Sequence, residues 1–169
     1  MYAILDTKNT TEFYLVRQGR FSPEYKLTDN INSYGKITYH RLSRGKATAE
    51  SVNCTWVFQR RALFSRAILI TDENMAIIGE VSRSWFSPRA ILTLQTGFRA
   101  EFYRTALFSR ENIWESAGYG KIMHIKSFLF SLTDIIYIDQ SMTPVALIPL
   151  LTFLGPYLTI LRRQRKSRH

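Results

Sequence analysis

The chain has 169 residues, of which 46% are hydrophobic and 14% aromatic, so it can bury a core and is not a disordered or low-complexity protein. Its 23 Lys and Arg residues outnumber 13 Asp and Glu residues, and the formal net charge of +10 favours anionic partners. The single cysteine excludes an internal disulfide and fits a reducing compartment.

A Phe-Ser or Leu-Ser pair recurs along the chain every 21 or 22 residues. The six pairs are Phe21-Ser22, Leu42-Ser43, Phe64-Ser65, Phe86-Ser87, Phe108-Ser109 and Phe130-Ser131. A period of this length holds two short strands and two turns. The repeat therefore predicts a body of stacked hairpins.

The elements are predicted in chain order from turn chemistry. An N-terminal hairpin is expected from residues 2–5 and 13–16, with a turn at 8–10. Thr-Asp followed by Asn, as Thr-Asp-Asn-Ile-Asn at 28–32 and Thr-Asp-Glu-Asn at 71–74, separates apolar alternations. It predicts two further hairpin turns, because Asp and Asn bond their own backbone there. The glycines that follow in the Gly-x-Ile/Val segments, Gly35, Gly79 and Gly120, predict bulges or close backbone contacts.

Apolar residues alternate with polar ones inside these units, which is typical of strands with one buried face. Val52, Cys54, Trp56 and Phe58 form one such series, and it predicts Cys54 as a buried small hydrophobe. A last strand is expected at 135–139. About a dozen strands result, and a sheet of that size closes or splits into two layers.

Residues 142–161 carry no charged side chain, and three interpretations compete for this segment. It is long enough for a membrane tail anchor, it can lie as an interfacial helix, or it can be a helix buried on all sides. Five basic residues follow it, and an anchor with a cytoplasmic body would have to carry them across the membrane.

We favour a helix buried inside a closed barrel, because about twelve strands leave a bore that a helix about 10 Å across can fill. Ser141 is the predicted N-cap and Pro144 lies close to the first turn. A kink is expected near Pro149 and a break near Gly155-Pro156. The predicted domain spans 1–161, with the helix from about 142 and a basic tail at 162–169.

The hairpins at 69–74 and 77–81, the strand at 135–139 and the apolar segment at 142–161 together resemble the superfamily of tubby C-terminal domains, phospholipid scramblases and LURP-one-related proteins. The resemblance implies a mainly β fold, a closed antiparallel barrel of about twelve strands around a central C-terminal helix. It also implies binding of phosphoinositide headgroups by basic side chains, as in tubby-type members. The acidic calcium segment of scramblases has no match, since 139–143 holds one carboxylate.

No catalytic, metal-binding or cofactor-binding pattern is present in the sequence. His40, His124 and His169 lack partners at ligand spacing, and neither a nucleophile elbow nor a phosphate-cradling glycine loop occurs. Asp72 and Glu73 fall in a predicted hairpin turn, which favours solvated turn residues over an acid and base pair. We expect a protein that is not an enzyme and needs no cofactor or metal.

The basic clusters in the predicted connections are the candidate lipid-headgroup-binding residues, because guanidinium groups take phosphate oxygens bidentately. They are Arg41, Arg44, Lys46, Arg60, Arg61 and Arg66, together with Arg162 and Arg163 after the apolar segment. If the hairpins stack at a fixed period, these connections fall on related ends of the barrel.

The sequence thus predicts a monomeric, cytoplasmic, non-catalytic barrel, peripheral at the membrane, that binds anionic membrane surfaces or phospholipid headgroups. One alternative is a tail-anchored membrane protein with a cytoplasmic β-rich domain. A second is a single-stranded nucleic-acid-binding module, in which Trp56, Phe98 and Phe102 would stack on bases beside arginines. We place nucleic acid last, because Phe98 and Phe102 alternate on the same face as Ala100, as core residues do.

Overall fold

The computed structural model describes residues 1–5, 7, 10–19, 24–40, 45–62, 65–83, 88–106, 109–127, 133–139 and 145–166, with side chains described up to 162. Twelve strands are present: β1 Glu12–Gln18, β2 Glu24–Thr28, β3 Ser33–His40, β4 Lys46–Ser51, β5 Thr55–Arg60, β6 Ile68–Thr71, β7 Ile77–Arg83, β8 Ala90–Leu94, β9 Arg99–Arg104, β10 Glu111–Ser116, β11 Gly120–Ser127 and β12 Thr133–Ile138. Each strand pairs antiparallel with the next, and β1 pairs with β12, which closes the barrel. The predicted barrel of about twelve strands is confirmed.

The predicted Asp-containing turns form by the expected hydrogen bonds. The Asp29 carboxylate accepts bonds from the backbone N–H groups of Ile31 and Asn32, and Asp72 accepts bonds from those of Asn74 and Ala76. Each carboxylate takes donors that strand pairing leaves unused at the turn. Asp72 and Glu73 are therefore turn residues, as predicted.

Bulges recur in the hairpins that carry the Gly-x-Ile/Val segments. The register shifts between β2 and β3, between β6 and β7, and between β10 and β11. Gly35 and Gly79 lie beside the first two bulges, and a Cβ at Gly35 would meet the Glu50 carbonyl oxygen at 2.2 Å. The prediction of bulges and close backbone contacts is confirmed at Gly35 and Gly79. At Gly120 it is wrong, because a Cβ there would meet nothing within 4 Å and the extra residue of the third bulge is Ile122.

The C-terminal helix occupies the bore of the barrel. A 3-10 turn, Val145–Leu147, leads into α1, Ile148–Lys166. Phe153 packs against Trp56 on β5, whereas a Cβ at Gly155 would touch Ile125 on β11 and Trp114 on β10. The helix thus contacts opposite walls, and every residue from 150 to 161 is buried.

The predicted helix break is wrong. α1 runs without interruption through Gly155 and Pro156, and it continues to Lys166 rather than ending at 161. Pro149 lies in the first turn, where a backbone N–H has no intrahelical partner, so it causes no break. Pro156 removes one hydrogen bond from the interior of the helix, because proline has no backbone N–H. The helix continues there because it packs against barrel walls on all sides. The first described helical residue is Val145; Ser141 and Pro144 lie outside the described residues.

Two predictions about individual segments are also wrong. Cys54 is exposed in the turn between β4 and β5, because Ser51 and Cys54 already bond across that turn and β5 begins one residue later. Residues 2–5 form no strand; the Ala3 N–H bonds the Ser33 carbonyl oxygen instead. Strand β1 pairs with β12 on the side where that extra strand would have lain.

Candidate functional site

The topology brings the end of α1 together with one set of strand ends. Odd-numbered strands run toward this end of the barrel, and even-numbered strands begin there. α1 enters at the opposite end and leaves here, since Tyr157 bonds the backbone of Gly45, immediately before β4. We call this the basic end and the other the acidic end.

Charge is segregated between these two ends. We count residues whose side chains are described, in the two terminal positions of each strand, the connections and the helix. The basic end then holds eleven basic and three acidic residues. The acidic end holds two basic residues, Arg99 and Lys121, and seven acidic ones. The basic set is Arg17, Lys46, Arg60, Arg61, Arg66, Arg83, Arg89, Arg104, Arg110, Lys126 and Arg162.

The helix dipole explains only part of this segregation. The C-terminus of α1 carries a partial negative charge of about half an electron, and basic residues near it stabilise the helix. Eleven basic residues against three acidic ones exceed that charge many times over. Pairs with acids on the outer wall, such as Arg61 with Glu80 and Arg89 with Glu101, offset part of the remaining positive charge, and the net excess attracts external anions.

Some of these arginines point into the barrel. Phe13 and Leu15 are buried on the inner face of β1, so Arg17 continues the same face; Arg60, Arg83 and Arg104 do so on β5, β7 and β9. All are partly buried and each lies at or next to the end of its strand. Among the described strand residues, Asp134 is the one acidic side chain on the inner face.

The inner face at the basic end is polar, unlike the apolar bore below it. We call this ring the polar belt. It consists of Arg17, Tyr25, Tyr39, Arg60, Arg83, Arg104, Asn112, Ser127 and Asp134, one residue from most of the strands.

Arg162 joins the polar belt from the helix. Its guanidinium donates hydrogen bonds to the Asn112 side chain and to the Pro88 carbonyl oxygen, both at 3.0 Å, and it lies 5.4 Å from the centre of the Phe102 ring. Burial lowers the pKa of Arg162, and the positive charge of Arg104 lowers it further. Arg162 and Arg104 therefore sit close enough to repel each other.

Buried donors in the polar belt lack acceptors. The Nε–H groups of Arg17 and Arg60 and the Ser127 hydroxyl are buried, and no described residue accepts a hydrogen bond from them. Gly45 leaves room for Arg60, because a Cβ at Gly45 would lie 3.2 Å from the Arg60 Nε. A buried donor without an acceptor costs about 1–3 kcal/mol, so an anion that reached these groups would be stabilised.

Most of the predicted binding residues that the structure describes lie at the basic end. Lys46 begins β4, while Arg61 and Arg66 flank the connection from β5 to β6, and Arg61 lies 3.4 Å from Glu80. Arg60 is turned inward rather than displayed on the surface, and Arg162 belongs to α1 rather than to a separate tail. Arg41, Arg44 and the Arg163 side chain lie outside the described residues.

Sequence reasoning missed Arg17, Arg83 and Arg104. The signal was present, because each arginine follows two inward-facing residues at a spacing of two, as in Phe13, Leu15 and Arg17. Extending the alternation to the last residue of each strand would have placed these side chains inside the barrel.

Other polar groups lie on the outer wall. Arg89 pairs with Glu101 at 2.6 Å, and the Tyr103 hydroxyl donates to Glu115, which raises the pKa of Tyr103. His124 stacks on Tyr137 and lies 3.7 Å from Glu111, while burial lowers the pKa of His124. Within the described ranges, no group of three or more His, Cys, Asp or Glu side chains is placed to hold a metal ion.

Within the part of the chain that the structure describes, one helical window, Val145–Arg162, is long and apolar enough to cross a membrane by length and composition alone. In this structure 72% of that window is buried inside the barrel.

Comparisons of the chain with protein-family models, with curated proteins and with solved structures found no match. The tubby-like resemblance therefore remains a prediction from the sequence.

Proposed function

We propose that this protein is a non-catalytic, tubby-like barrel that binds anionic membrane surfaces or phospholipid headgroups with its basic end. The segregation of charge carries the proposal, since eleven basic and three acidic described residues share one end of a barrel whose other end is acidic. A molecule polarised in this way orients its basic end toward a negative surface.

The energy available is sufficient for peripheral binding. Each basic residue held near an anionic lipid surface contributes about 1 kcal/mol, an attraction that salt screens. Arg61, Arg110 and Lys126 are exposed at this end and can approach a surface without rearrangement. Three such residues contribute about 3 kcal/mol, and micromolar binding, at about 8 kcal/mol for 1 μM, requires most of the basic end to lie near the surface.

Burial of the aromatic rings favours a membrane over single-stranded nucleic acid. Phe102 is fully buried, Trp56 is 8% exposed, and Phe98 packs against the core. Base stacking requires an accessible ring face. The basic residues between these rings therefore lack the stacking platforms that the nucleic-acid alternative needs.

The test is co-sedimentation with vesicles of phosphatidylcholine alone, of phosphatidylcholine with phosphatidylglycerol, and a parallel titration with a single-stranded oligonucleotide. We expect binding to the anionic vesicles, weakened by salt, and none to the neutral ones. Equal binding to both vesicle types, or binding to the oligonucleotide alone, would contradict the proposal.

The chain offers a matched pair of charge variants. The double variant Arg61→Glu with Arg110→Glu alters exposed residues of the basic end, and Arg99→Glu with Lys121→Glu makes the same change in net charge at the acidic end. We expect the first variant to bind anionic vesicles about tenfold more weakly or worse, and the second to bind much as the wild type does. Equal loss in both would mean that net charge, not the basic end, governs binding.

A further inference from the structure

Exposed large apolar side chains are confined to the acidic end. Of the described Val, Ile, Leu, Met and aromatic residues, none is exposed at the basic end or along the outer wall. Apolar residues scattered singly over a surface need no explanation, but their segregation to one end does. Met1 and Ile4 flank Ala3, which bonds Ser33 at the start of β3. The other six exposed residues lie in turns, at a strand start or at the helix start of this end: Ile31, Val52, Met75, Ile77, Tyr119 and Val145.

Three successive hairpin turns repeat one arrangement, an acidic residue followed two positions later by an exposed apolar one. These turns join β2 to β3, β4 to β5 and β6 to β7. Since neighbouring strands lie about 4.8 Å apart, adjacent turns follow one another about 10 Å apart around the barrel. The pairs are Asp29 with Ile31, Glu50 with Val52, and Glu73 with Met75.

We call Ile31, Val52, Met75 and Ile77 the apolar rim. Among the described residues, Lys36 is the one base that forms an ion pair with the three acids of these turns, at 3.9 Å from Glu50. The apolar rim is therefore bordered by negative charge that is largely uncompensated.

The turn from β6 to β7 holds Met75 outward. The Asp72 carboxylate accepts bonds from the backbone N–H groups of Asn74 and Ala76, and the Met75 N–H bonds the Asp72 carbonyl oxygen at 3.1 Å. Met75 has a φ of 63°, in the left-handed region that Asn or Gly adopts at lower cost. Met75, Ala76 and Ile77 are consecutive and all exposed. The turn thus displays an adaptable apolar side chain where a polar residue would suit the backbone better.

The closed barrel excludes recognition of a partner by strand addition. Each of the twelve described strands already pairs on both sides, so no sheet edge is free to take an extended peptide. A partner must be held by side chains, and an amphipathic helix presents apolar and charged side chains while its backbone bonds are satisfied internally. The seven acidic and two basic described residues of this end require the charged side chains of that helix to be basic.

We infer that the apolar rim binds an amphipathic basic helix of a protein partner. The apolar face of the helix packs on the rim, and its Lys or Arg residues approach Asp29, Glu50 and Glu73. The basic end of a second copy offers charge but no exposed large apolar side chain among its described residues, and an anionic membrane is repelled by the acidic end. The inference does not rest on the proposed function, because the acidic end is accessible whether or not the basic end lies on a membrane.

The probes are three synthetic peptides of about 18 residues, or five turns of helix. The first has Leu on one face and Lys on the other, the second replaces Lys with Glu, and the third replaces Leu with Ser. Fluorescence anisotropy measures the affinity of the protein for each. We expect the Leu and Lys peptide to bind at least about tenfold more tightly than either of the others. Equal binding of the Ser and Lys peptide would mean that charge alone attracts it and would overturn the inference.

Matched variants locate the binding surface. Ile31→Ser with Met75→Asn removes apolar side chains from two turns of the rim without changing the net charge, whereas Arg61→Gln with Arg110→Gln alters exposed residues of the basic end. We expect the first variant to bind the Leu and Lys peptide at least about tenfold more weakly, and the second to bind it at least as tightly as the wild type does. Equal affinity in the wild type and the first variant would overturn the inference.

The single variant Met75→Asn separates loss of binding from loss of folding. Asn tolerates the left-handed backbone at this position, so the urea midpoint should equal or exceed that of the wild type while the affinity for the Leu and Lys peptide falls. Glu73→Lys should also weaken that peptide, and it should strengthen the Leu and Glu peptide. Unchanged affinity for the Leu and Lys peptide in a folded Met75→Asn protein would overturn the inference.

Two further measurements would identify a different occupant. Self-association in sedimentation velocity that is lost both in Ile31→Ser with Met75→Asn and in Arg61→Gln with Arg110→Gln would assign the rim to a second copy. Binding to phosphatidylcholine vesicles that is lost in Ile31→Ser with Met75→Asn would assign it to a membrane. Either result would overturn the inference. Failure of the peptide to bind would leave membrane binding by the basic end untouched.

Discussion

The Tyr157 hydroxyl donates a hydrogen bond to the carbonyl oxygen of Gly45, a residue 112 positions earlier in the chain. Tyr157 also packs its ring against Tyr39 and Phe58 on the barrel wall. Gly45 has a φ of 79°, a backbone conformation that glycine adopts readily. The contact joins the middle of the helix to the residue before β4, and so holds α1 near the basic end.

Removing that hydroxyl should weaken the barrel without opening a cavity. Tyr157→Phe keeps the ring contacts and leaves the half-buried Gly45 carbonyl without this donor, so we expect a loss of about 0.5–1.5 kcal/mol in the free energy of unfolding. Chemical denaturation measures the difference. Tyr119→Phe is the control, because Tyr119 is 43% exposed at the acidic end. An equal loss in both variants would contradict a specific role for the Tyr157 bond.

Gly155 allows the helix to approach the barrel wall closely. A Cβ there would lie 2.4 Å from the Ile125 Cδ1 atom and 2.8 Å from the Trp114 Nε1 atom. Gly155→Ala gains up to about 1 kcal/mol of helix propensity, but overpacking costs about 1–3 kcal/mol, and we expect net destabilisation in urea.

The control for this prediction is Gly118→Ala, in a turn where a Cβ would meet nothing within 4 Å. It should leave the urea midpoint nearly unchanged. A Gly155→Ala protein more stable than the wild type would show that the wall moves aside to admit the methyl group.

A charge at a buried helix position should unfold the barrel if the helix is its core. Leu154 is fully buried, while Val145 is 58% exposed at the start of the helical segment. We expect Leu154→Asp to cost more than about 3 kcal/mol and to yield little soluble protein. Val145→Asp should change stability by less than about 0.5 kcal/mol.

The same pair of variants distinguishes a helix buried inside the barrel from a membrane tail anchor. In alkaline extraction of membranes, a tail anchor stays in the pellet, and Leu154→Asp would release a folded body from it. If the helix is buried inside the barrel, alkaline extraction should release the wild-type protein from membranes, and the Leu154→Asp protein should not fold. A folded, soluble body after truncation at Ser141 would equally exclude the helix as core.

The turn at Asp29 should make stability depend on acid pH. Burial by itself would raise the pKa of Asp29, but hydrogen bonds from the Asn32 backbone, the Tyr34 hydroxyl at 2.5 Å and the Ile31 backbone lower it to about 2. Because the folded pKa lies below the ordinary value of 3.8, this contribution is fully present above about pH 4 and is lost as the pH falls toward 2.

Asp29→Asn should lower stability at neutral pH by roughly 1–2 kcal/mol, since the amide accepts these bonds less strongly. It should also flatten the dependence between pH 4 and 2, which thermal unfolding at several pH values measures. An unchanged pH profile would mean that other carboxylates govern the acid transition.

Local chemistry made several elements predictable. The Asp29 and Asp72 turns and the bulges at Gly35 and Gly79 depend on neighbours a few residues away, and the sequence contains those neighbours. Cys54 was misplaced because alternation does not reveal where a strand begins. The break at Gly155-Pro156 was wrongly predicted because propensity counts the lost hydrogen bond but not the packing of the surrounding walls.

The sequence alone determines that this chain is a hairpin repeat with an apolar C-terminal segment and a large excess of positive charge. It does so because turn chemistry, repeat period and composition are local properties. Only the tertiary structure decided that the segment runs through the bore and that basic residues from distant hairpins meet at one end. It also turned Arg60, Arg83 and Arg104 inward around the helix. Barrel closure sets these relations, because it brings together strand ends that are far apart in the chain.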